Sequence, residues 1–219
     1  MTISYLGHSC FKLKGKTASV IMDPYDAYVG FAMSSQAADI ITVSHDHKDH
    51  SAVAKIKGTE TRPEPFIINA SGEYEVGGVS VFGVDTFHDK EEGLQRGKNI
   101  IFTVIVDGVR VCHFGDLGHL LTQEQANAIG MVDVLLIPVG GVFTIDPEEA
   151  MKVARFLEPS IVIPMHYKTD QHEVKVFSEL ASLEDFLKAN DITPKLEKKL
   201  KIEADKMPEE MELVVLEKN

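Results

Sequence analysis

Apolar residues along this chain fall into two kinds of run: alternating stretches that read as hairpins, and short continuous stretches that belong inside a sheet. Phe11 to Asp23 predicts a first hairpin, turning at Lys14-Gly15-Lys16 and ending in Asp23-Pro24. Ile100 to Asp116 predicts a second, turning at Asp107-Gly108 and ending in Gly115-Asp116. An acidic residue and a continuous buried strand follow each: Asp39 with Ile40 to Val43, then Asp133 with Val134 to Ile137. A helix and a further strand come next in both halves, at Phe66 to Asn69 and at Ile161 to Ile163. The same interval separates Asp39 from Phe66 and Asp133 from Ser160. Two strand-rich halves with helices outside predict an α/β fold, a four-layer αββα sandwich of two pseudo-repeated halves.

Helix signals support that layout. In the first half, Ala52, Val53 and Ile56 supply the apolar face of a predicted helix after the strand at Ile40. In the second, Asp146-Pro147-Glu148-Glu149 combines an N-cap, a proline at the first helical position and a capping-box glutamate. Ala150, Val153, Ala154 and Leu157 then make one apolar stripe, which Pro159 ends. Thr122 to Gln125 is another capping box, closed by Gly130, and Ser182 opens a helix carrying Leu183, Phe186 and Leu187. Tyr25 to Gln36, with Gly30, Phe31 and Met33, reads as a flap over a cleft or as an ordinary connection. Residues 196–205 are rich in lysine and glutamate, a solvated edge, and Glu212 to Leu216 reads as a closing strand. With no low-complexity segment or linker to cut at, 1–219 is expected to be a single domain.

Charge narrows the partners. Asp and Glu number 34 against 22 Lys and Arg, a formal charge of −12. Binding nucleic acid rests largely on neutralising phosphates, so no nucleic-acid partner is expected. A small-molecule substrate, even an anionic one, stays compatible, because bound metals supply local positive charge. Self-association is left open. Cys10 and Cys112 sit in apolar strand-like runs and read as reduced core cysteines. Met1 to Tyr5 lacks the basic start and apolar stretch of a signal peptide, and no apolar run reaches membrane-spanning length. The expectation is a cytoplasmic protein with no membrane partner.

The chemistry concentrates in Ser44-His45-Asp46-His47-Lys48-Asp49-His50, three imidazoles and two carboxylates where a strand ends. Sheet rims are where α/β proteins place their sites. In extended chain, residues two apart share a side, so His45 and His47 can grip one ion together. A turn after them would carry Asp49 and His50 toward a second position. The segment therefore suggests two metals, of the kind held about 3.5–4 Å apart in two-metal hydrolases.

This His-x-His-x-Asp-His run resembles the signature of the metallo-β-lactamase superfamily, and the resemblance extends over most of the chain. It implies later ligands at His88 in Thr86-Phe87-His88-Asp89, Asp116 in His113-Phe114-Gly115-Asp116, and His166 in Pro164-Met165-His166-Tyr167. By similarity, one metal would take His45, His47 and His88, the second Asp49, His50 and His166, with Asp116 bridging. Leu6-Gly7-His8-Ser9, Asp23-Pro24 and Gly115-Asp116 make the chain look closest to small, single-domain, lactonase-like members. Two divalent ions are implied, zinc as first choice with manganese or iron as alternatives.

Around that set, His8 is either a cleft contact or a structural histidine. His113 is expected to orient a ligand, and is the rival to His88 for the first metal. Asp23 is expected to support a ligating imidazole, and His119 to hydrogen-bond near the Asp116 turn. Tyr167 either contacts substrate or packs. His172, among polar residues, reads as exposed and idle. The leading expectation is a hydrolase that cleaves a small ester, lactone or phosphodiester with a metal-bridging hydroxide, Asp49 orienting it or carrying its proton. The alternative is a metal-binding sensor or regulatory module of the same fold with little turnover. Long nucleic acids and β-lactams are disfavoured as substrates, and redox chemistry at a di-iron site would need a flavin-bearing partner domain.

Overall fold

The computed structural model describes residues 1–219. Two sheets carry the chain. The first has six strands in the order 200–201, 2–7, 10–14, 19–22, 40–42 and 66–68. The second has eight, in the order 195–197, 212–216, 161–165, 134–138, 109–113, 98–106, 79–87 and 72–76. Both expected hairpins are present as antiparallel pairs, Phe11 against Met22 and Phe102 against His113. Each passes into two parallel strands: Val20 pairs with Ile40 and Ile40 with Phe66, while Val111 pairs with Val134 and Val134 with Ile161.

Period-two alternation decides where each side chain goes. Phe11, Leu13, Val20, Met22 and Ile40 point inward from the first sheet. They meet Val104, Val111, Val134, Leu136 and Ile163 of the second in one core between the sheets. Leu135, Ile137 and Val162 point the other way, onto Ile129, Ala150, Met151, Val153, Ala154 and Phe186 of the helices. Parallel strands covered on both faces are apolar throughout, which is why 134–138 and 161–165 read as continuous runs. The helices Gln123–Ile129 and Pro147–Leu157 start at the expected capping boxes, and Leu183–Asn190 starts at the expected Ser182, which forms a capping box with Asp185. No helix is long and apolar enough to cross a membrane.

The outer face of the first sheet is covered differently. Leu6, Cys10, Ile21, Ile41 and Val43 pack beneath Tyr25, Val29, Ile56, Phe177 and Leu180. The helix expected over Ala52, Val53 and Ile56 does not form: Val53–Lys55 is a single 3-10 turn. Ile56 instead extends into a two-residue strand paired with Gln36, so its side chain is buried by strand pairing rather than by helical spacing. Cys10 lies in this outer cluster and Cys112 in the helical one on the far side, and both are free thiols.

Candidate metal centre

Ser44 to His50 leaves the first sheet at its rim and turns at once: the backbone N–H groups of His50 and Ser51 both donate to the carbonyl of His47. The other contributors arrive from strand ends of the second sheet and from the turn around Asp116. Three residues directly after strands, His8 (φ 55°) and Asp23 (φ 46°) on the first sheet and His166 (φ 53°) on the second, adopt left-handed backbone. Left-handed non-glycine residues are uncommon, and their gathering at one place marks a functional constraint. Gly115 (φ 52°) is needed for a second reason: a Cβ there would lie 2.5 Å from that of Ser44.

Two groups of potential ligands result. The metal-binding atoms of His45, His47 and His88 lie within 4.8 Å of one another, and so do those of His8, Asp49, His50 and His166. Asp116 Oδ2 stands between the groups, 3.2 Å from His50 Nε2 and His88 Nε2, 3.3 Å from His166 Nε2 and 3.8 Å from His45 Nε2. The Asp116 backbone N–H donates to Asn99 Oδ1 at 2.9 Å. Asn99 spends its amide hydrogens on Thr86 Oγ1 and the Phe114 carbonyl, which fixes which way the side chain points.

Hydrogen-bond partners settle two tautomers. Asp23 is buried and accepts from the Ser44 N–H at 2.8 Å, from Ser44 Oγ at 2.5 Å and from His50 Nδ1 at 2.8 Å. Since Ser44 gives its hydroxyl proton to Asp23, its oxygen accepts from His45 Nδ1 at 2.9 Å. Both histidines therefore carry their neutral-state proton on Nδ1 and turn an Nε2 lone pair toward the Asp116 carboxylate. Neither Nε2 has a hydrogen-bond partner, nor does buried Asp116 Oδ1. Lone pairs facing a carboxylate in a buried site repel unless a cation lies between them, so the donor set fits a metal.

Electrostatics carries the same signature. Burial disfavours charge on His50, yet Asp116, Asp23 and Asp49 together raise its pKa well above the usual value. In the metal-free chain a proton thus takes the place a cation would hold, and metal binding must displace it. His45 is pushed well down, by burial first and His50 second. Burial opposes ionisation of Asp116 and Asp49, but the neighbouring imidazoles win and hold both carboxyls well below the ordinary range.

The remaining expected residues sort by their partners. His113 Nε2 donates to the Ser9 carbonyl at 2.7 Å and its Nδ1 accepts from the Gly115 N–H at 3.0 Å. With both nitrogens engaged, it has no lone pair to offer in place of His88. His119 Nε2 accepts from the Phe87 N–H, steadying the backbone before His88. Tyr167 is buried beside Tyr5 and is absent from the cavity wall. His172 is the correction. Far from exposed, it is only 6% accessible, and its Nε2 lies 3.1 Å from His8 Nδ1. Contacts across 164 residues leave no trace in the polar stretch around it.

A cavity of about 480 Å³ opens over the cluster. His47, Asp49, His88, Asp116 and His166 form its floor, and Tyr28, Phe143, Val176 and Phe177 line an apolar side. Tyr28 comes from the expected flap, whose Tyr25 and Val29 are buried anchors. Arg96 and Lys48 reach the same cavity, and neither, like Asn99, stood out in the sequence. Asn99 had one available signal, a polar residue at the head of the apolar run Ile100 to Val106.

Comparison with known proteins gives a consistent picture. A family model described as a beta-lactamase superfamily domain matches residues 2–166. A UPF0173 metal-dependent hydrolase of Methanoculleus marisnigri is 32% identical over 191 residues, covering 77% of this chain and 82% of that protein. A crystal structure from Thermotoga maritima, described as a candidate Zn-dependent hydrolase of the metallo-beta-lactamase superfamily, is 38% identical with a TM-score of 0.79. That match covers 98% of this chain and 97% of the other. Igni18, a metallo hydrolase from Ignicoccus hospitalis, shares the fold at 21% identity and a TM-score of 0.62, over 87% of this chain and 90% of its own.

Proposed function

The chain belongs to the metallo-β-lactamase superfamily of metal-dependent hydrolases, and we propose that it uses two divalent cations, zinc by preference, to cleave a small ester, lactone or phosphodiester. His45, His47 and His88 would hold one cation and Asp49, His50 and His166 the other, with Asp116 shared. The observation that carries this reading is the pair of rings, His45 and His50, each anchored through Nδ1 and each turning Nε2 toward one buried carboxylate. When bound, such a pair of cations supplies a water acidified from a pKa of about 15.7 toward 7 and a polarised carbonyl or phosphoryl oxygen.

The chain's own residues supply the rest. Asp49 stays ionised beside His50 and His8, so its carboxylate can accept a hydrogen bond that orients a water at the cavity floor, and a proton that reaches it is readily passed on to a leaving group. Asp23 holds His50 and, through Ser44, His45 in fixed orientations, the support that ligating imidazoles usually receive from carboxylates. Tyr28, Phe143 and Phe177 shield one side from water and offer an apolar surface to the substrate. The cavity suits a small molecule rather than a polymer.

The test is turnover of a lactone, ester and phosphodiester panel by zinc-, manganese- and iron-loaded protein. Turnover of a panel member that chelation abolishes and metal restores is the expected result. Full metal loading with no turnover of any member would leave the sensor reading in its place.

A further inference from the structure

We propose that the cavity contains a subsite for an anionic group of the substrate, a carboxylate or phosphate, built on Arg96, with Lys48 lining the same cavity. This rests on the hydrolase reading above and names the substrate class for it. The loop from Asp89 to Gly97 is ordered from within: the Asp89 carboxylate accepts from the backbone N–H groups of Glu91, Gly93, Gln95 and Arg96 at 2.7–3.0 Å. Asp89 therefore spends its charge on backbone and leaves the Arg96 side chain alone. The guanidinium lies over the Phe143 ring, 5.6 Å from its centroid, where stacking holds it at the cavity wall.

Arg96 and Lys48 take part in no ion pair, whereas Lys90 on the same loop is bound to Glu149 at 2.5 Å. Asp46, Asp49 and Asp116 line the same cavity, so a positive excess arises once divalent cations neutralise the floor carboxylates, leaving only Asp46 against Arg96 and Lys48. A planar guanidinium matches a carboxylate or phosphate with two parallel hydrogen bonds. An ester or lactone whose far end carries such a group would place its reacting bond over the histidine floor and its body along the aromatic wall.

A matched ester series, identical except for a terminal carboxylate, phosphate or neutral methyl ester, tests this on the metal-loaded protein. The expected result is kcat/KM at least about tenfold higher for one anionic member, mainly through KM. The carboxylate and phosphate arms tell which anion is meant. Arg96→Gln should shrink the ratio of anionic to neutral kcat/KM by about tenfold, and the remote Lys188→Gln should leave the ratio alone. Equal kcat/KM across the series, or a ratio unmoved by Arg96→Gln, overturns the subsite. If no member of this series or of the lactone and phosphodiester panel is turned over, the hydrolase reading has failed instead. Calorimetry with inorganic phosphate and acetate then decides the subsite: weaker binding in Arg96→Gln supports it, and identical binding overturns it.

A different observation carries a second inference: the geometry points to His172 as a positioning residue that fixes the His8 proton on Nε2, facing Asp49, so that His8 is not a metal ligand. The backbone N–H of Thr169 donates to His172 Nδ1 at 3.1 Å, so that nitrogen is an acceptor. Neutral His172 then carries its proton on Nε2, which donates to His8 Nδ1 at 3.1 Å. His8 must in turn carry its proton on Nε2, which faces Asp49 Oδ2 at 3.3 Å without yet meeting hydrogen-bond geometry. One main-chain amide thereby sets two tautomers, although His8 Nε2 is close enough to the cluster to be mistaken for a ligand. Gly30 (φ 102°) makes the approach possible, since a Cβ there would lie 2.3 Å from the Glu173 nitrogen.

Ring-nitrogen NMR of 15N-histidine protein, with and without added zinc, reads the tautomers directly. His8 protonated at Nε2 in both states is expected. A zinc-bound, unprotonated His8 Nε2 overturns the inference. His172→Ala should weaken zinc binding by about tenfold or more. His172→Gln should restore it, because a glutamine amide can accept from Thr169 and donate to His8. Equal zinc affinity in the wild type and His172→Ala also overturns it.

Discussion

Two parallel crossovers occupy equivalent places in the two halves and are built in opposite ways. One runs from Ile40–Thr42 to Phe66–Ile68, the other from Val134–Pro138 to Ile161–Met165. The second spends its length on an 11-residue helix that lays Ala150, Met151, Val153 and Ala154 on the sheet. The first has no helix beyond a 3-10 turn and devotes its opening residues to His45, His47, Asp49 and His50. Helical spacing spreads side chains along a stripe, whereas the first crossover must converge them on a point. The tight turn onto the His47 carbonyl does so, and the sheet face beneath is left to loops and aromatic side chains. One crossover is built for stability, the other for chemistry.

Substitutions that separate those roles should follow that division. The largest effect is expected at Asp49: Asp49→Ala should cut turnover by more than about a hundredfold, the ceiling for residues that merely support a ligand. Its circular dichroism should match wild type. Asp23→Ala comes next, with zinc affinity falling about 10–100-fold in a competition titration, because His50 and Ser44 lose their shared acceptor.

Acid should reveal a smaller effect in the metal-free chain. Burial depresses His172 to a pKa of about 4, so between about pH 6.5 and 4 the unfolded chain takes up a proton that the folded one refuses. Wild type should therefore lose stability across that window relative to His172→Gln, as read by denaturant midpoints at each pH. The smallest effect belongs to the second crossover: Asp146→Ala removes a helix cap worth about 1 kcal/mol. It should lower Tm and leave zinc affinity unchanged; loss of zinc there would erase the distinction between the crossovers.

What was legible in the sequence follows the same division. The second crossover could be read almost to the residue, because its capping box, proline and apolar stripe are local signals. The first was legible as chemistry but not as structure. Ala52, Val53 and Ile56 have helical spacing, yet Ile56 is claimed by pairing with Gln36, a contact that spacing cannot foretell. The residues that hold the site in shape were the least visible. Asn99 acts on the Asp116 backbone and His172 on His8 only because distant strands and loops meet. His113 and His88 are equally histidines on paper; their partners alone distinguish the engaged ring from the available one.

The central claim is a paired cation site spanning both halves of the chain. Metal content per chain, by mass spectrometry on protein purified without added metal and again after reconstitution, tests it most directly. About two zinc, manganese or iron ions per chain are expected, with fewer in Asp116→Ala. One ion or none after reconstitution would contradict it.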